Sequence, residues 1–126
     1  MKTIELIKAR KVIAGRADEK VSASLAYKMM KFMKASETED AFFNAKLKEI
    51  VERYGEKDGA GKLIYVDNGV SIAKNAVDEC KGAIAELENT ETDAPDIRFP
   101  LAELEQLKLS MSEIFALENF ITEGGG

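Results

Sequence analysis

Histidine is absent and cysteine occurs once in 126 residues, and each scarcity removes a class of chemistry. Without histidine the chain lacks the commonest general base and the commonest transition-metal ligand. A single cysteine, Cys80, can form neither an intramolecular disulfide nor a cysteine-based zinc site, which fits a reducing, cytoplasmic compartment. No apolar run approaches the roughly 20 residues of a membrane span, and residues 1–15 form a charged amphipathic segment without the apolar block of a signal peptide. The expectation is a soluble protein that needs no cofactor or metal and has no membrane partner.

What is present is the material of an ordinary folded domain: 45% hydrophobic and 33% charged residues. The length suits one core, so residues 1–123 are expected to form a single helical domain with a small β-sheet, and Gly124 to Gly126 a flexible tail. The net charge of −5 hides an asymmetry. Residues 1–60 hold 13 Lys/Arg against 10 Asp/Glu, whereas residues 61–126 hold 5 against 13, so the second half is the acidic one.

Helical spacing dominates the pattern. Thr3 is placed to cap a first helix through Ala14, with Leu6, Ala9 and Ile13 inside, Lys8, Arg10 and Lys11 toward solvent, and Gly15 suited to a left-handed stop. A second helix from Ser22 puts Leu25, Met29 and Phe32 on one stripe, Ala26, Met30 and Met33 beside it, and Lys28, Lys31 and Lys34 opposite. Ser36 and Glu39 read as a capping box that opens a third helix, whose stripe of Phe43, Leu47, Ile50 and Tyr54 runs to Gly55.

Between Gly55 and Ala73 the period changes. The Asp58-Gly59-Ala60-Gly61 turn, the Leu63 to Val66 run and the Asn68-Gly69 pair predict a β-hairpin near residues 62–72. Val77, Cys80, Ile84 and Leu87 restore helical spacing. A short strand is expected near 96–99, then a helix with Pro100 at its first position carrying Leu101, Leu104 and Leu107. Ser110 and Glu113 form a second capping box, opening a last helix with Ile114, Leu117 and Ile121 inside. The fold class is therefore α+β, mostly helical, with five to six helices, a hairpin and a third short strand.

Gly59-Ala60-Gly61-Lys62 has the look of a phosphate-binding loop, but Glu56 stands where the first glycine is needed and Leu63 where the metal-binding Ser or Thr belongs, so a turn is the better reading. Counting alternate positions from Asp58 or Asp67 meets Ala60, Lys62, Gly69 and Ser71, which leaves a calcium loop short of oxygen ligands. Carboxylate pairs such as Asp78 with Glu79 are expected on solvated helix faces, and Cys80 and the Met29, Met30 and Met33 cluster in the core. No catalytic residue is assigned.

The opening amphipathic helix, Leu25-Ala26-Tyr27-Lys28, Arg53-Tyr54-Gly55-Glu56 and the closing Leu109 to Glu118 segment together resemble small proteins of unknown function encoded by tailed phages and prophages of Firmicutes. The resemblance implies a non-enzymatic accessory role through protein–protein binding in the host cytoplasm or in association with the virion, in virion assembly or within a phage structural complex. Two other functions fit parts of the sequence. An inhibitor of a host defence nuclease, in the manner of an anti-CRISPR, would offer an acidic surface such as Glu86, Glu88, Glu91 and Asp93 to a basic groove. A small nucleic-acid-binding regulator would use the Lys28, Lys31 and Lys34 row, although the acidic balance of the chain makes nucleic acid the weaker partner.

Overall fold

The computed structural model describes residues 1–67 and 69–123. Among them are six α-helices and four two-residue strands, the mostly helical α+β class expected. The chain divides into two compact units, one from residues 1–40 and 91–126, the other from residues 41–90.

In the first unit, α1 (Thr3–Gly15) buries Leu6, Ala9 and Ile13 as its spacing requires. Its ends differ from expectation. Lys2 takes the cap position, Thr3 is the first helical residue, and the Glu5 carboxylate reaches back to accept from the Lys2 amide at 3.1 Å. Gly15 remains helical and has no positive φ, because Arg16, at φ −111°, supplies the stop instead. Helix α2 (Ala23–Ala35) opens as predicted at Ser22, whose hydroxyl accepts from the Leu25 amide at 3.3 Å. Leu25, Met29 and Phe32 form its buried stripe.

The corner between α2 and α3 (Glu37–Tyr54) corrects two expectations. Arg10, expected toward solvent, turns inward: Nη1 donates to the Met33 carbonyl at 2.6 Å and to Ser36 Oγ at 2.8 Å, and Nε lies 3.4 Å from the Asp40 carboxylate. Ser36, expected to cap α3, is fully buried and donates its hydroxyl back to the Phe32 carbonyl at 2.8 Å. The physical reason lies in the last turn of α2, where water is excluded: Arg10 donates to the Met33 carbonyl and to the Ser36 hydroxyl, and that hydroxyl spends its own proton on the Phe32 carbonyl, which also accepts from the Ser36 amide at 3.0 Å. The Ser36 backbone carbonyl is left to start α3 by accepting from the Asp40 amide at 3.0 Å.

The second unit begins at Ala41, within α3. Phe43 is buried and Leu47, Ile50 and Tyr54 half-buried, so the predicted stripe holds up to Gly55. Strands β1 (Tyr65–Val66) and β2 (Gly69–Val70) pair antiparallel, Tyr65 opposite Val70 and Val66 opposite Gly69, which is the expected hairpin. Gly69 has φ +117°, a conformation that favours glycine, while Asn68, the other half of the expected turn pair, lies outside the described residues. The segment after α3 joins this hairpin through bridges from Gly55 to Ile72 and from Lys57 to Leu63. Helix α4 (Val77–Glu88) follows, with Cys80 buried on its inner stripe as predicted.

Returning to the first unit, the strand expected at 96–99 starts later, as β3 (Phe99–Pro100), and pairs in parallel with β4 (Ile121–Thr122). Ile121, expected inside the last helix, is thus a strand residue. Pro100 is the cap of α5 (Leu101–Leu104) and not its first residue, because at ψ 133° it is still extended. Leu101 is exposed, while Leu104 and Leu107 are buried; the chain tightens into a 3₁₀ turn at Glu105–Leu107, which aligns residues three apart. Lys108, at φ 53°, ends that turn. Helix α6 (Met111–Leu117) has the capping box foreseen: Ser110 Oγ accepts from the Glu113 amide at 3.2 Å and Glu113 Oε1 from the Ser110 amide at 3.0 Å. The glycine tail, 124–126, lies outside the described residues.

Candidate functional site: an exposed apolar face on α6

Helix α6 buries Leu117 completely and Ile114 partly, and α1 packs against it. A helical stripe that narrow leaves the other side of the helix to solvent. Met111 and Phe115, spaced one turn apart, occupy that side and are 87% and 71% exposed. Leu101 is exposed as well, and with Ile114, Ile121, Glu118 and Glu123 it lines a shallow depression next to them. The result is an apolar surface with carboxylates at its border.

The helix that carries this surface is fixed to α1 by a two-pronged ion pair. Arg16 Nη2 lies 2.6 Å from Glu113 Oε1, Nε donates to Oε2 at 3.0 Å, and Nη1 donates to Glu19 at 2.8 Å. The hydrogen bond from Arg16, aided by the Ser110 amide, holds the Glu113 carboxyl down at about 2, and the hydrogen bonds to Glu113 and Glu19 raise the Arg16 guanidinium. A carboxyl whose folded pKa is depressed contributes its stabilisation above the unfolded pKa of about 4.5 and loses it as the pH falls toward about 2. The gap in thermal midpoint between the native chain and Glu113→Gln is therefore expected to be full at neutral pH, to narrow below pH 4.5 and to close near pH 2. A gap that stayed constant across this window would show that the pair does not tie α6 down.

The residues singled out from the sequence are dispersed. Lys28 is engaged, its Nζ lying 2.6 Å from Glu103 and donating to Ser24 at 3.4 Å. Lys31 lies 5.4 Å over the Tyr27 ring, and Lys34 is exposed. Glu86 is exposed in a groove of the second unit beside Phe42 and Lys46, and Glu88 is half-buried. Glu91 and Asp93 are exposed in the first unit, where Glu91 pairs with the Met1 ammonium at 3.2 Å. Of the methionines expected in the core, Met29 is buried, Met33 half-buried and Met30 exposed, so the cluster lines a groove between the 17–21 segment and α2.

The glycine loop behaves as a turn. Asp58 accepts from the Ala60 and Lys62 amides at 2.8 and 3.0 Å, so a carboxylate already fills the position a phosphate would take. Among the described residues no group of three or more His, Cys, Asp or Glu side chains is placed to hold a metal ion, and no helix is long and apolar enough to cross a membrane.

Sequence reasoning missed the α6 face although a signal for it existed. Ile114 and Leu117 define one inner stripe, and Met111 and Phe115 are apolar residues that lie off it. No family model, curated protein or solved structure matches the chain.

Proposed function

We propose that the protein is a non-enzymatic accessory protein that works by protein–protein binding through the outer face of α6, in the setting its phage resemblance implies, the assembly of a virion complex. The observation that carries the reading is the pair Met111 and Phe115, large apolar side chains placed side by side on one helix and left mostly in water. Leaving them exposed forgoes burial worth about 1.5–3 kcal/mol each, which a partner recovers on docking. Aromatic anchors of this kind dominate helix-mediated interfaces, and a border of carboxylates adds choice of partner more than affinity.

Because both side chains contribute little to the folded monomer, Met111→Ser with Phe115→Ser is expected to change stability by no more than about 0.5 kcal/mol per site. The same variant should lose its partner by tenfold or more, measured as co-purification with the tagged chain from phage-infected cells. Undiminished recovery of the partner by the folded variant would remove the α6 reading.

A further inference from the structure

The first unit carries a second exposed apolar face, on α2, with lysines along its helix and one carboxylate, Glu19, across the groove that Met30 lines. Tyr27 and Met30, one turn apart on the side of α2 opposite its buried stripe, are 59% and 42% exposed. Lys31 and Lys34 flank them, with Lys31 against the Tyr27 ring. On the α6 side, Glu118 and Glu123 line the depression formed with Leu101, Ile114 and Ile121. The segments that carry the two faces differ in the same sense along the sequence: residues 1–40 hold nine Lys/Arg against six Asp/Glu, and residues 91–126 hold two against eight.

We propose that the α6 face is occupied by the α2 face of a second copy of this chain. The inference rests on α6 being a docking surface and names what docks there. Each face offers two large apolar side chains about 5–6 Å apart along a helix, so the anchors of one can seat beside the anchors of the other at ordinary helix-packing distance. Lys31 and Lys34 then meet Glu118 and Glu123. Border ion pairs add little affinity individually, about 0–1 kcal/mol, but they decide which face meets which. A symmetric pairing of two α6 faces would set carboxylates against carboxylates, and two α2 faces would oppose lysines.

Both faces stay exposed in the folded chain, so a chain does not satisfy itself. Each copy gives one face and takes one, and a contact of this unlike-to-like-chain kind closes into a ring or extends as an open chain. For a protein of a structural complex that is a means of building a repeating layer.

Two charge-reversed chains test this. Sedimentation of the native chain is expected to show mass rising past the dimer with concentration. Lys31→Glu with Lys34→Glu should remain monomeric alone, as should Glu118→Lys with Glu123→Lys, and mixing the two should restore assembly because each then offers what the other lacks. A native chain that stays monomeric up to about 1 mM, the weak end of specific association, overturns the proposal, as does a mixture that stays monomeric. Replacing Phe115 with a photoreactive benzoylphenylalanine separates the two readings. A crosslink to Tyr27 or Met30 of a second copy supports self-assembly; a crosslink in infected cells only to a different protein overturns it and leaves α6 a docking surface; no crosslink at all overturns both.

Discussion

Phe32→Ala is expected to cost about 3–5 kcal/mol, enough to remove most of the stability of a domain that has only about 5–15 kcal/mol in total. Phe32 is fully buried, and its ring stands edge-on to Phe120 with centroids 4.9 Å apart and tilted to Phe99 at 5.8 Å. Those two partners bring together the segments that make the parallel pair: Phe99 begins β3 and Phe120 immediately precedes β4. Truncation therefore removes apolar contact from α2, opens a cavity against both strands, and forfeits two aromatic contacts worth about 0.5–1.5 kcal/mol each beyond their area. Far-UV circular dichroism during heating should show a midpoint lowered by well over 10 °C, at roughly 4–8 °C per kcal/mol for a unit of this size. Phe115→Ala makes the same chemical change at an exposed site and should move the midpoint by no more than a few degrees, as expected for a change of about 0.5 kcal/mol. Equal losses at the two positions would mean that Phe115 is a core residue and would undo the reading of α6.

The contrast between these two phenylalanines also marks what is legible in the sequence. Burial on a long helix is written in its period, and α2 follows from Leu25, Met29 and Phe32 together with the Ser22 cap. The Ser110 and Glu113 box is equally local, since both partners lie within one turn, and it forms as its spacing requires. Ser36 and Glu39 have the same spacing and do not pair, because the competing group, Arg10, arrives from 26 residues away and no local pattern contains it. Strand β4 is hidden for a related reason. Leu117 and Ile121 are four apart and continue a helical rhythm, so only the presence of Phe99 and Pro100 alongside turns the second of them into a strand residue. The candidate site follows the same division: the helix that bears Met111 and Phe115 is readable, but their exposure depends on α1 covering the other side of α6 and on nothing covering theirs.

Gly55→Ala is expected to destabilise the second unit by about 1–3 kcal/mol, a large effect for one added methyl group. A Cβ at this position would lie 2.6 Å from the Val51 carbonyl oxygen, 2.6 Å from Leu63 Cδ2 and 2.9 Å from Val70 Cγ1. Side-chain ends can yield to such a contact, but the Val51 carbonyl is backbone at the end of α3 and accepts from the Gly55 amide itself at 2.8 Å, so moving it breaks the last turn of the helix. The displacement would pass directly to the hairpin, because Gly55 bridges to Ile72, the adjacent Glu56 amide donates to the Ser71 carbonyl at 2.7 Å, and the Glu56 carbonyl accepts from the Ile64 amide at 2.9 Å. Amide hydrogen exchange at Glu56, Ile64 and Ser71 should accelerate in the variant, while protection of the α1 and α2 amides changes less. Gly59→Ala supplies the control: a Cβ there meets nothing within 4 Å and the residue has no positive φ, so the substitution should be neutral, or stabilising by up to about 1 kcal/mol through a less flexible unfolded chain. If the two alanines behaved alike, the close approach of helix end and hairpin around Gly55 would be wrong.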